Sequence, residues 1–299
     1  MDGDAKPLPN NWGKWGETDE RGAANYLTPE RLVQASQLVR KGKVFPLGLP
    51  VQSTGVPVFP RRSAPLHFMT LDGGDFAAGL KRSGGFQSSD DYIAMFSHGT
   101  THVDALAHVW YGDKLFNGFP GSSVRSGGAR HLGAEKIAHL VGRGVLLDMC
   151  RHRGQTPVPP GTEFMPEELE ACAAAQGVEL REGDILLVRT GWLGAYDEKN
   201  PAASFAGEAG PGLAAGEWIG SKGFAAIGMD NFAVEVAPTH DRTMAPVHKR
   251  LIRDYGVYLM EFMVLDDLAA EKVWEFLFVA APLRITGGSA SPINPLAIC

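Results

Sequence analysis

The chain has 299 residues, 44% of them hydrophobic and 21% charged, a composition that folds around a core and excludes an extended disordered chain. Its 28 Lys and Arg against 34 Asp and Glu give a net charge of −6, and the basic residues come in pairs such as Arg61-Arg62 and Lys249-Arg250, so no phosphate-tracking stripe forms and nucleic acid is not an expected partner. Met1–Lys6 lacks a basic region followed by an apolar one, no apolar run nears the ~18 residues of a spanning helix, and Cys150, Cys172 and Cys299 have no CxxC spacing. The expectation is a soluble, cytoplasmic chain with no membrane partner, no disulfide framework and no thiolate metal site; any metal ligands are nitrogen and oxygen.

In chain order, Asn11–Glu17 is aromatic and Gly-rich without periodicity, part of an arm over residues 1 to about 27 docked through Trp12 and Trp15. Thr28-Pro29 supplies an N-cap and an N1 proline for a helix through about Lys41, with Leu32, Val33, Ala35 and Leu38 as its apolar positions. Pro46, Pro50, Pro57, Pro60 and Pro65 break residues 43–65 into short strands and turns. Asp72–Asp75 and Ser83–Asp90 read as exposed loops, and Asp91–Phe96 as a strand running into a histidine cluster. Beyond that cluster the pattern alternates. Strands are expected over Gly144–Met149, Asp184–Thr190, Phe224–Gly228 and Val257–Phe262. Between them fall helices over Pro166–Gln176, Leu213–Lys222 and Ala245–Tyr255, closed by Gly177, Gly223 and Gly256. The alternation predicts an α/β fold with helices flanking a mixed β-sheet, and the lack of a linker or repeat predicts one domain over 1–299.

The chemistry is concentrated in Ser97–His108. His98, His102 and His108, three of nine histidines, fall with Asp104 inside eleven residues. Imidazole and carboxylate are donors that Zn²⁺ and Mn²⁺ accept, and three protein ligands leave a position for water. An extended chain at about 3.3 Å per residue would hold the Cα atoms of His98 and His102 roughly 13 Å apart, so the chain must bend between them, and Gly99 permits it. Thr100, Thr101 and Val103 are β-branched and predict a strand end turning into an irregular loop, with His102, Asp104 and His108 on one side if alternation holds. A single histidine is usually a satisfied core or surface group; the cluster makes His98, His102 and Asp104 expected metal ligands, with His108 beside them. No HExxH, GxSxG or phosphate-loop pattern competes.

Glu261 interrupts the apolar run Val257–Val264, and a buried carboxylate without a cation or donor is costly. His248 lies one helix earlier, and the turn at Gly256 brings the two within reach. The bland readings are an edge-strand Glu261 facing solvent and a helix-surface His248. Asp230 and Asn231 at a strand end, and Trp110, Tyr111, Phe116 and Phe119 after the cluster, line a site or serve as turn and core residues. His67, His131, His139, His152 and His240 gain no role.

Ser97–His108 resembles the H-x-G-T-H-x-D-x-x-x-H signature of the cyclase family of metal-dependent hydrolases, which includes bacterial kynurenine formamidases (arylformamidases) and isatin hydrolases. Thr100 stands where the signature has Gly, which bears on the loop conformation and leaves the ligand spacing unchanged. Trp12–Glu30, Leu187–Trp192 and Gly228–Asp230 are similar to further segments of that family, and His248 and Glu261 resemble its late His and Glu, which there complete a second metal position or its polar shell. The resemblance implies a swivelling β/β/α-like fold, one or two divalent ions per chain (Mn²⁺ or Zn²⁺), and a small, often aromatic amide, formamide, lactam or lactone as substrate. It also implies a homodimer or higher homo-oligomer, in which Trp12 and Trp15 either cover a neighbouring subunit's pocket or dock on their own chain, and, through the kynurenine formamidases, a link to tryptophan catabolism.

An ion held by His98, His102 and Asp104 would lower the pKa of its water toward about 7 and make hydroxide available to a polarised carbonyl, with His108 moving protons to the leaving group. If a second ion binds, Asp104 bridges and His108, His248 and Glu261 complete the site, making His108 a ligand instead; the sequence leaves both open. Hydrolysis of an amide or lactam is the first reading. Its rivals are a lactone hydrolase or lyase/cyclase on the same metal, and a non-catalytic metal-binding protein with a saturated coordination shell.

Overall fold

The computed structural model describes residues 8–299, so the Met1–Lys6 segment and the first residues of the arm lie outside the described residues. In chain order the principal strands are β1 (Val44–Pro46), β2 (Leu66–Leu71), β3 (Asp90–Ala94), β4 (His102–Asp104), β5 (Leu140–Asp148), β6 (Ile185–Arg189), β7 (Ala226–Met229), β8 (Tyr258–Glu261), β9 (Glu275–Ala280), β10 (Ala290–Pro292) and β11 (Leu296–Ile298). All but β2 and β3 join one mixed sheet of nine strands in the order β1-β11-β9-β5-β6-β7-β8-β4-β10. Its centre, β5 to β8, is parallel, and its flanks are antiparallel. The central runs are almost continuously apolar and buried, as strands covered on both faces must be. β2 and β3 form a separate antiparallel ribbon whose residues are largely exposed.

Helix ends follow their caps. α1 (Pro29–Ser36) begins at Thr28, whose side chain accepts from the Arg31 amide, but it stops at Ser36 instead of Lys41. Of the apolar positions read from its sequence only Ala35 is buried, so nothing in the tertiary packing supports further turns. Residues 43–65 hold one strand, β1, where several were expected. Asp72–Asp75 is not a loop: it opens α2 (Gly73–Ala77), because Asp72 accepts from the Gly74 amide (2.6 Å) while Asp75 accepts from the Asp72 amide (2.9 Å). α3 (Pro166–Gln176) and α4 (Leu213–Lys222) fall where the proline and glycine signals put them. The expected helix to Tyr255 is a short α-turn, Pro246–His248, running into a π-helical segment, Lys249–Tyr255, that ends on left-handed Gly256.

The arm docks on its own chain against that π-helical segment. Trp12 Nε1 donates to the Arg253 carbonyl (2.9 Å), the Arg253 guanidinium lies over the Trp12 ring, and the Asn11 amide donates to the Asp254 carbonyl (2.9 Å). Among the described residues no helix is long and apolar enough to cross a membrane.

Candidate metal centre

β4 lies between β8 and β10, with His102 directly opposite Glu261 and Val103 opposite Met260. The two-residue period of a strand therefore turns His102 and Asp104 to one face, and the register sets Glu261 beside them. All three are buried, and β8 has a neighbour on each side, so Glu261 is not an edge residue. His98 sits in the turn before β4. There the Gly99 amide donates to the Phe96 carbonyl (2.9 Å), and a Cβ at Gly99 would lie 2.9 Å from the same oxygen, so glycine is needed for close approach. Turn precedes strand, the reverse of the expected order. The alternation also ends at Asp104: His108 returns to the cluster through a turn in which its amide donates to the Ala105 carbonyl (2.9 Å).

Asp104 is the hub. Its Oδ1 is 3.3 Å from His98 Nε2 and 3.5 Å from His102 Nε2, while Oδ2 is 3.7 Å from His248 Nε2 and 3.9 Å from His108 Nε2. Glu261 repeats the pattern, with Oε2 3.2 Å from His102 Nε2 and Oε1 3.5 Å from His248 Nε2. Sequence thus named six side chains, and the fold brings all six together. Two overlapping triads, His98–Asp104–His108 and Asp104–His248–Glu261, have donor atoms within 4.8 Å of one another.

These atoms are close without satisfying each other. Among the described residues, neither Asp104 oxygen nor Nε2 of His98 or His102 makes a hydrogen bond. Buried polar groups left so are rare and costly, and an imidazole and carboxylate set aimed at common points is what a borderline divalent cation accepts. The residues fit such an ion.

Electrostatics agree with that geometry. Burial opposes charge on His102, but the carboxylates of Glu261 and Asp104 outweigh it and push its pKa up to about 10. Burial is likewise overcome at His248, raised well above the ordinary imidazole value by Glu235, Glu261 and Asp104. At His108 burial wins and lowers the value to about 4. Asp104 and Glu261, which burial alone would raise, are held below the usual carboxylate range by the imidazoles around them. Protons and a cation compete for the same nitrogens.

The outer contacts fix which nitrogen faces inward. His102 Nδ1 donates to the Thr100 carbonyl (2.7 Å), leaving Nε2 as an acceptor. His248 Nδ1 is held by the Glu235 carboxylate, which also accepts from the Val247 amide (2.9 Å). Sequence reading missed Glu235. The signal was there: like Glu261, it is a lone carboxylate in an apolar stretch, Phe232–Val236.

The aromatic surface beside the cluster was also missed. Phe262 follows Glu261 with φ +56, a conformation rare for a bulky residue, pinned by its amide donating to the Asn231 carbonyl (2.9 Å) and its carbonyl accepting from Thr101 Oγ1 (2.7 Å). The result sets its ring centroid 6.2 Å from that of His102. Trp192, Phe205, Phe232 and Phe59 continue the surface at centroid spacings of 5.0 to 6.5 Å.

Three of the four aromatics singled out from sequence do other work, and Trp110 is exposed. Phe116 is core, Phe119 stacks on His131, and Tyr111 Oη donates to Asp254. Asp230 ties β7 to the turn after β6 by accepting from the Thr190 amide (2.8 Å), Thr190 Oγ1 (2.7 Å) and the Gly191 amide (2.6 Å). His67 and His240 make exposed contacts with Asp91 and Glu163.

The sequence profile of the family described as "Putative cyclase" matches residues 45–236. A crystal structure described as that of a novel cyclase is 41% identical, with a TM-score of 0.91 over 97% of this chain and 100% of its own. Isatin hydrolase A from Labrenzia aggregata (21% identity, TM-score 0.61, 90% of this chain and 97% of that one) shares the fold. So does isatin hydrolase A from Ralstonia solanacearum (22%, TM-score 0.63, 90% and 97%). No curated protein gives a significant match.

Proposed function

The chain belongs to the cyclase family, and on that premise we propose that it is a Zn²⁺- or Mn²⁺-dependent hydrolase that adds water to a small aromatic amide, formamide or lactam. The observation that carries this reading is Asp104, a buried carboxylate with no hydrogen bond, one oxygen facing His98 and His102 and the other facing His108 and His248. The residues would hold up to two cations with Asp104 common to both: the triads His98–Asp104–His108 and Asp104–His248–Glu261 would each take one, with His102 facing both carboxylates. His108 is then a ligand and not the proton carrier.

When bound, a divalent cation supplies Lewis-acid chemistry, lowering the pKa of coordinated water toward about 7 and polarising a carbonyl. The chain does the rest. Thr100 and Glu235 hold His102 and His248 with Nε2 inward, and Asp104 and Glu261 bring the negative charge that balances the cations. Buried Phe262 keeps water from the outer side of His102, and the rings beyond it offer an apolar face to an aryl group. The isatin hydrolases, whose substrate is an aromatic lactam, support the aromatic reading by likeness of fold.

The test is a panel of N-formyl aromatic amines and isatin assayed in ¹⁸O-water. The expected result is turnover with one labelled oxygen in the product, lost on chelation and restored by Mn²⁺ or Zn²⁺. Absence of turnover across the panel, or a product without label, would overturn the reading.

A further inference from the structure

We propose that Arg62 determines specificity at this site by receiving a carboxylate carried on the aromatic substrate. For the reaction the idea rests on the hydrolase reading above; for binding it stands alone.

Phe59-Pro60-Arg61-Arg62 closes a turn in which the Arg62 amide donates to the Phe59 carbonyl (2.8 Å), so both side chains leave the turn together and the guanidinium lies 5.3 Å from the Phe59 ring centroid. Arg62 Nη1 donates to the carbonyl of His98 (2.6 Å). No other Lys or Arg among the described residues hydrogen-bonds a candidate ligand.

The contacts close a circuit. From His102 it passes to Phe262 (6.2 Å), to Phe205 (6.5 Å), to Phe59 (5.3 Å), to Arg62 (5.3 Å), through its hydrogen bond to His98, and back to His102 (5.1 Å). Arg62 therefore stands between the ligand cluster, which it reaches through His98, and half-buried Phe59 and Phe205.

Charge pairing and position together set Arg62 apart. Arg143, Arg189, Arg250 and Arg253, with better covered side chains, each meet a carboxylate; among the described residues half-buried Arg21 meets none either, but only Arg62 also hydrogen-bonds a candidate ligand. Half-buried Arg62 has no carboxylate partner among the described residues. One edge of its guanidinium is fixed on His98, which leaves the rest of a rigid planar donor set for an anion, and a carboxylate matches that fork. An aryl ring on Phe59 and Phe205, with its scissile carbonyl toward Asp104, would carry that carboxylate on the side of His98. An arginine that merely clamped the His98 turn would be indifferent to the charge of the ligand.

The experiment is calorimetric titration of the metal-loaded protein with two probes of one shape, anthranilate and its neutral amide, anthranilamide, and needs no turnover. Wild type is expected to bind anthranilate tighter by about tenfold or more. Arg62→Gln is expected to bring the ratio within about twofold of unity at unchanged metal content, and Arg62→Lys to keep part of the preference, since Lys is a point charge without the fork. Because both probes are read on the same variant, a loss common to both marks a clamp and overturns the proposal. So does a preference that survives in Arg62→Gln, which would assign the carboxylate to the cations, or metal loss in both variants. Turnover of the formamide panel with no charge preference would also sink this inference while leaving the hydrolase reading intact.

Discussion

Asp104 is buried to 0% exposure with both oxygens unbonded, a state tolerable only beside positive charge, which His102 and His248, with their raised pKa values, supply as protons or which a cation held by the surrounding imidazoles would supply. Glu235 acts one contact further out by holding His248 Nδ1, which fixes the tautomer and aims Nε2 at Asp104. Removing such an orienting partner typically costs 10- to 100-fold in metal affinity, roughly the range expected for Glu235→Ala. His248→Ala should cost at least as much, and the double variant little more than His248→Ala alone, because both act on one ligand. Titration against a competing chelator reads these affinities; unchanged affinity in Glu235→Ala would contradict the role. His98, His102, Asp104 and His108 were legible because four ligand-type residues lie within one short segment. Glu235 was not, because its partner is 13 residues away through a loop without periodicity.

At the scale of elements, the site depends on how Pro246–His248 and the π-helical segment after it are seated. Tyr255, at the end of that segment, packs its ring on Gly220 of α4, where a Cβ would come within 2.2 Å of Tyr255 Cδ2. Gly220→Ala overpacks this contact and is expected to lower stability by about 1–3 kcal/mol, read as a shift in the denaturant midpoint. A change smaller than about 0.5 kcal/mol would mean that the seat of His248 is looser than described. Local signals placed α3 and α4 well, because proline at N1 or a closing glycine acts within the segment itself. They failed where long-range packing decides: α1 loses its last turn for want of buried positions, and short β4 is a strand only because β8 and β10 flank it. α2 failed differently, since Asp72 and Asp75 read as turn residues and also make a capping pair.

Over the whole molecule, strand and helix alternation made the parallel centre of the sheet legible, while the antiparallel flanks and the detached β2–β3 ribbon depend on pairings that no local pattern encodes. That ribbon bears on assembly. Phe68, Tyr92 and Ile93 are more than half exposed, and a two-stranded ribbon alone is marginally stable, so a second copy of the chain is the cover we expect. Wild type should sediment as a homodimer or larger, and Phe68→Asp combined with Ile93→Asp should yield monomers; a monomeric wild type would refute this. The most direct test of the account is metal content per chain by elemental analysis, comparing wild type with His102→Ala. The account predicts about two Zn²⁺ or Mn²⁺ per chain in wild type and about one or fewer in the variant. A wild type that takes up no metal, or a variant with undiminished content, would contradict it.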